Sequence, residues 1–595
     1  MKLVSQLLIG ICILSSAARA GSHVSGACTS EESWNPLPKL VGAESSEFQK
    51  FLSGKLSVPQ GFSSAWTMRR HFEHDPQQEA LSHYWIGLSL FRAHQLDSAH
   101  RLFSELLESP SVPTGLRFAA LGCLNQIRSL QPAWAFTQSS AEAAMSILSD
   151  AETPAEKEAL ARAASHLILR ATEASAKKIL SQLPEASAWS LLTRFRYAVR
   201  MGASDEAFRT GQSLLVKPNL PPEIQKQWDA TRLLLARILY ANGKLEEAGR
   251  LQQNVSRSSN LLARAIEEQS WTRLLGERLG DTIGSAASLQ AGGLRATFAP
   301  ESLMVMAMAY NELCQYPQAL QALKTLRMGY EKEASWLKDQ KAAASSGGTP
   351  LYSAAIAALR GQPLNPPVPK RILSEWLRSP QLIQGQRAVN SAIDSEAFGK
   401  ASLNQGGAEW LQQVRALAKR WQELQSKIRS ERKSQPELKI LSPSLRQELQ
   451  AYRHALIQTQ RFAASGPAWR AILEASRKQI PLIAQRNRSR IEADLSARNQ
   501  RMLARLEEIS ENSQLIEIEI YQGASQDLVF KNAHPDFTAS LPKKASQELG
   551  LYWGKAPGMD GEDGEIWEDE LGSFRADLPD NCANQERFLA LKPGE

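Results

Sequence analysis

The chain has 595 residues, with 69 Lys+Arg against 62 Asp+Glu, a formal net charge of +7 and 43% hydrophobic residues, enough for three or four ordinary domains or for one elongated repeat array with additions. So small and uneven a positive excess disfavours nucleic acid as a partner, and no uncharged apolar run approaches the ~20 residues that span a bilayer, so no transmembrane segment is expected. Ala, Leu, Gln, Arg and Glu recur while Val, Ile and Tyr are sparse, so the fold class is expected to be mainly α.

At the start, Lys2 precedes an apolar run from Leu3 to Leu14, and small residues lead to Ala18-Arg19-Ala20. This is the pattern of a secretory signal peptide over residues 1–20 with an A-x-A cleavage site. The expected location is the periplasm. Cys12 lies inside the apolar core behind Ile11, and Cys28 follows Ala27 well past it, so neither makes a good lipid-anchor signal. Removing Lys2 and Arg19 leaves a formal charge of +5 and four cysteines, Cys28, Cys123, Cys314 and Cys582, in an oxidising compartment.

After an extension over 21–44, residues 45–335 read as helical hairpins. Small residues recur where two helices of a hairpin must touch: Ile86-Gly87, Leu90, Ala99 and Phe103 in one unit, then Leu235-Ala236, Leu239 and Ala248 around the turn Asn242-Gly243. Met306-Ala307, Tyr310, Ala319 and Leu323 make a third. Ala236 and Ala307 stand 71 residues apart, about two units of 34, which predicts a degenerate hairpin between Leu261 and Leu289. Leu121-Gly122 and Phe195 with Ala207 suggest weaker copies, for some seven hairpins in all. The small-residue and turn pattern resembles the tetratricopeptide repeat over about half of the chain. That resemblance implies an α-solenoid whose concave groove takes a protein or peptide ligand.

Residues 342–369 turn to Ala, Ser, Gly and Pro and read as a linker. The region 370–520 is again helical, with interruptions expected near Pro436, Pro443, Gly466-Pro467 and Pro481. From Ala484 the period becomes seven: Leu495, Met502, Ile509 and Ile516 form one row, and Asn499, Leu506, Ser513 and Ile520 the next. This predicts a short coiled-coil seam, too weak to hold a dimer, so the chain is expected to be a monomer outside its complex. Arg486, Arg488, Arg490, Arg498, Arg501 and Arg505 crowd its start, a solvated face or a surface for an acidic partner or anionic cell-envelope polymers. The segment 521–595 is acidic towards its end, from Asp560 to Asp580.

A narrower likeness rests on Phe298-Ala299-Pro300-Glu301 with Tyr310 to Pro317, on Glu517 to Tyr521, and on Gly564 to Gly572 leading to Cys582. Together these resemble periplasmic tetratricopeptide proteins of delta-proteobacterial predators and gliders. The resemblance implies a scaffold of the cell envelope, in gliding relatives a part of the motility machinery.

No G-x-S-x-G elbow, H-E-x-x-H helix or phosphate loop occurs, so no enzyme, catalytic residue, metal or cofactor is expected. His71, His74, His83, His94 and His100 cluster in sequence without an acidic or cysteine partner at ligand spacing. Glu565, Glu568 and Asp569 beside Trp567 leave a peptidoglycan-active enzyme or regulator as an alternative, and a purely structural spacer is another. Cys28 and Cys582 lie outside the predicted helices and are the favoured disulfide, with Cys314 as runner-up partner of Cys582. Cys123 and Cys314 are expected several hairpins apart, beyond the ~6 Å Cα separation of a disulfide.

Overall fold

The computed structural model describes Cys28 and residues 43–130, 138–147, 151, 154–169, 171–185, 187–344, 350–365, 367–434, 441–537 and 578–591. The expected signal peptide, the acids from Asp560 to Asp577, and Trp553 and Trp567 lie outside them. Among the described residues the chain is all helical, with 22 α-helices, one 3-10 turn and no strand. No helix among them is long and apolar enough to cross a membrane. The chain divides into two compact units, residues up to 200 with 386–487, and 201–385 with the residues from 488 onward.

The first unit begins with α1 (Ala43–Leu52), α2 (Val58–His71), α3 (Pro76–Arg92), α4 (Leu96–Glu108), α5 (Thr114–Leu130), α6 (Gln138–Ser146), α7 (Pro154–Leu167), α8 (Glu173–Gln182) and α9 (Ala188–Met201). Trp85, Phe51, Phe62, Phe103 and Leu116 are fully buried in one core. Local signals start several of these helices. Ser57 and Gln60 make a reciprocal capping box on α2, and Asp75 accepts from the Gln77 and Gln78 N–H groups of α3. The second unit holds α10 (Ser204–Val216), α11 (Pro222–Gln225), α12 (Trp228–Ala241), α13 (Leu245–Gln253), α14 (Leu262–Leu275), α15 (Leu279–Ser288), α16 (Glu301–Glu312), α17 (Tyr316–Ala344), α18 (Leu351–Leu359) and α19 (Lys370–Leu377). Two long helices, α20 (Pro380–Ser434) and α21 (Pro443–Ala533), each give a segment to both units, and α22 (Asn581–Leu591) closes the second.

Four hairpin turns share one backbone solution. His94, Gly243, Glu277 and Cys314 are left-handed, with φ of 58°, 72°, 56° and 50°. The following N–H of Gln95, Lys244, Arg278 and Gln315 donates to the carbonyl of Leu90, Leu239, Arg273 and Tyr310 at 2.8–2.9 Å, which is the Schellman closure of a helix C-terminus. Seven residues before each left-handed residue stand Gly87, Ala236, Ser270 and Ala307, and five after it Ala99, Ala248, Thr282 and Ala319, all buried. Small side chains there let the paired helices approach. A Cβ on Gly87 would lie 2.7 Å from Phe103 Cε1. The predicted degenerate hairpin is therefore α14 with α15, and Phe195, Gly202 and Ala207 keep the same offsets, with Gly202 at φ 68°.

Within the first unit, α20 and α21 grip the α3–α4 turn. Gln95, buried, donates from Nε2 to the Ser395 carbonyl at 2.7 Å and accepts from Ser476 Oγ at 2.9 Å, while Ser395 Oγ donates to the His94 carbonyl at 2.8 Å. Trp469 of α21 packs on Phe62 with ring centroids 4.5 Å apart. In the second unit both seven-residue rows of α21 are buried, against the helices from α15 to α19. The coiled-coil seam is thus covered by the chain's own hairpins.

Three other expectations are corrected. Pro467 and Pro481 do not interrupt α21. Each proline removes one backbone bond, but Trp469, Leu473 and Ile480 beside them are buried and hold the segment helical. Pro443 does mark a break, opening α21 at a position where no N–H bond is needed, and Pro436 lies outside the described residues. The linker reading of 342–369 fails over Leu351–Leu359, which is helical with Ala355 fully buried. Its first two N–H groups are capped by the Glu492 carboxylate of α21, at 2.7 Å from Leu351 and 2.6 Å from Tyr352.

The favoured disulfide also differs, whereas the runner-up pairing of Cys314 with Cys582 is found. Cys28 pairs with Cys123 and Cys314 with Cys582, at Cα separations of 4.7 Å and 5.3 Å. Cys28 and Cys582 are not partners. Lying within a helix does not disqualify Cys123, because Cys28 lies beside it, with Tyr84 Oη donating to the Cys28 carbonyl at 3.0 Å. Cys314 is available to Cys582 because it occupies the left-handed turn. There Asn581 N donates to the Leu313 carbonyl at 3.1 Å and Gln315 Nε2 to the Pro579 carbonyl at 2.8 Å. Gln585 of α22 further donates to Asp527 of α21, and Phe588 packs edge-on against Phe537 at 5.3 Å.

Candidate functional site

Helices α15, α16 and α17 leave a groove of about 610 Å³ in the second unit. Its floor is apolar: Ala287, Leu303, Met306 and Ala322 are buried beneath it, and Tyr310 is half-buried. Burial raises the Tyr310 phenol above its ordinary pKa, so it remains a neutral hydroxyl. The rim is polar, with Arg295, Gln321 and Thr325 exposed. Gln318 Oε1, a buried atom, accepts no hydrogen bond among the described residues. An apolar floor with a few polar groups at its edge suits an extended or helical peptide.

The shared hairpin geometry positions these groups. The buried Ala307 and Ala319 fix α16 against α17, and the turn at Cys314 sets their register, so Met306 and Tyr310 fall on the groove side. Of the eight residues selected for repeat packing, Gly87, Ala99, Phe103, Ala236, Ala248, Ala307 and Ala319 are buried, whereas Tyr310 lines the groove. Gln318, Gln321 and Thr325 were not singled out by the sequence reading. Their signal is the polar row at i, i+3 and i+7 on α17, legible only once a neighbouring hairpin is known to face it.

The arginine row separates into two kinds. Arg486, Arg488, Arg490 and Arg501 are exposed, whereas two others are engaged by acids of the chain. Arg498 Nε lies 2.9 Å from Asp494 Oδ2. Arg505 serves two carboxylates, with Nε 2.6 Å from Glu301 Oε1 and Nη2 2.8 Å from Glu267 Oε2. The carboxylates are unequal. Glu267 is buried, and desolvation pushes its pKa up to about 7 against the pull of Arg505. Burial also opposes the charge on Glu301, but its hydrogen bonds from Arg505 and from Trp271 Nε1, the latter at 2.9 Å, prevail and hold its pKa down. One cation shared by two acids thus leaves Glu301 ionised and Glu267 poised to take the proton.

Among the described residues no three of His, Cys, Asp and Glu come together as a metal site. His71 and His74 are exposed. His83, His94 and His100 are half-buried, and desolvation lowers their pKa and favours the neutral imidazole. His94 instead occupies the left-handed turn and packs against Phe398 at 4.8 Å. The candidate carboxylates Glu565, Glu568 and Asp569 lie outside the described residues. No family model matches this sequence, and no curated protein is detectably similar to it.

Proposed function

We propose that the chain is an exported protein–protein interaction scaffold of the bacterial cell envelope, holding a segment of a partner protein in the groove of α15, α16 and α17. The motility-type complex that the family resemblance implies is the narrower setting of the same reading. The observation that supports it best is the apolar floor of Leu303, Met306 and Tyr310 under a polar rim of Arg295, Gln321 and Thr325. Repeated hairpins bury small residues on their inner faces and leave side chains on the outer faces free for recognition. The peptide's apolar side chains would fill the floor, and its N–H groups would meet the rim amides.

A photo-crosslinking amino acid at Gln321, read by mass spectrometry in living cells, tests this directly. The expected result is one discrete protein adduct, lost when Tyr310 is replaced by aspartate and absent when the probe sits at exposed Arg415. Equal, diffuse labelling from Gln321 and Arg415 refutes the proposed groove.

A further inference from the structure

A second cavity in the same unit, of about 550 Å³, is built differently. It is bounded by residues of α14, the Phe298-Ala299 segment, α19, the first turn of α20 and one face of α21. Five arginines line it, Arg264, Arg378, Arg498, Arg501 and Arg505, against the two acids Glu267 and Glu375. Its volume is that of a small-molecule pocket, roughly 300–1,000 Å³.

Three of the five arginines are already engaged. Arg264 Nε lies 2.7 Å from Glu268 Oε1, Arg498 Nε lies 2.9 Å from Asp494 Oδ2, and Arg505 bridges Glu267 and Glu301. Among the described residues, the side chains of Arg378 and Arg501 make no hydrogen bond or ion pair. Arg378 is half-buried, and desolvation lowers its pKa with only the field of Glu375 opposing this. A partly desolvated guanidinium without an acceptor is costly, and a planar set of five donors is suited to oxygen anions. Two further features add positive potential. Pro380 and Gln381 bring the first turn of the 55-residue helix α20 to the wall, with its partial positive charge. Burial raises the pKa of both acids in the wall, which weakens the negative charge set against the arginines.

We propose that this cavity binds a small oxyanion, a phosphate ester or a polycarboxylate, gripped by Arg378 and Arg501. The site is independent of the peptide groove. The engaged arginines shape its wall, and the two unengaged ones supply the donors.

Isothermal titration calorimetry of the full chain, with inorganic phosphate, glycerol phosphate and citrate at ionic strength matched by sodium chloride, tests the assignment. At least one of the three binds saturably where chloride does not, and whichever arm binds tighter identifies the class. Arg501→Gln weakens that binding by about tenfold or more, as does Arg378→Gln, the loss expected for a charge-assisted hydrogen bond. Arg486→Gln, exposed elsewhere on the same helix, leaves it unchanged. Arg501 is exposed, so an unchanged melting temperature of Arg501→Gln separates loss of the site from loss of the fold. No saturable heat from any of the three anions overturns the proposal. So does binding that survives Arg501→Gln in full, or a loss matched by Arg486→Gln.

Discussion

Replacing Gly87 by alanine tests how closely the paired helices approach. The new Cβ would lie 2.7 Å from Phe103 Cε1 and 3.0 Å from Cζ. Phe103 is fully buried and packs on Tyr84 with ring centroids 5.7 Å apart, so the ring has no room to retreat. Overpacking of this kind costs about 1–3 kcal/mol, while alanine in a helix interior gains about 1 kcal/mol over glycine. The net expectation for Gly87→Ala is a destabilisation of up to about 2 kcal/mol, from the difference of those two effects. Gly249→Ala is the control, since the nearest atom to its Cβ, Thr272 Cγ2, is 3.9 Å away. There only the helix term acts, a stabilisation of about 1 kcal/mol. Urea denaturation followed by far-ultraviolet circular dichroism reads both as shifts of midpoint at unchanged slope. If Gly87→Ala proves as stable as Gly249→Ala, the close approach at this position is wrong.

Other expectations concern the covalent and ionic ties of the second unit. Cys314→Ser removes a cross-link worth about 2–4 kcal/mol and frees α22 from the α16–α17 turn. Amide exchange over Asn581–Leu591 should accelerate more than that of α16, and unchanged protection there would show that hydrogen bonds alone hold the helix. The Glu267 carboxyl, raised from 4.5 to about 7 in the folded chain, favours the fold most below pH 4.5, and that contribution fades as pH rises through 7. The shift corresponds to about 3 kcal/mol as an order of magnitude. Glu267→Gln should therefore flatten the fall in melting temperature between pH 4.5 and 8, and parallel profiles for the two proteins would refute the assignment of the proton to this residue.

Local chemistry made the helices and their hairpins legible in the sequence. Gly87 with Ala99, Ala236 with Ala248 around Asn242-Gly243, and Ala307 with Ala319 mark contacts inside single hairpins, where partners lie close in sequence. The degenerate hairpin was reached by spacing alone, and its packing positions turned out to hold Ser270 and Thr282, small but not alanine. The seven-residue rows of α21 announced a buried face because periodicity reports burial.

What covers a buried face is another matter. The rows of α21 gave no sign that hairpins some 200 residues earlier would occupy them. Nor did the prolines at 467 and 481 reveal that buried neighbours would keep the helix continuous. Cysteine pairing depended on which segments meet: Tyr84 holding the Cys28 carbonyl, and Asn581 binding at the Cys314 turn. Likewise, six arginines of one helix look equivalent along the chain, yet Arg505 bridges Glu267 and Glu301 while Arg501 lines a cavity with no acceptor among the described residues. Capping, turns and helical periodicity act over a few residues and can be read from a string of letters. Burial partners, ion pairs and pKa shifts depend on distances of a few ångströms between segments hundreds of residues apart, and only the folded chain sets those distances.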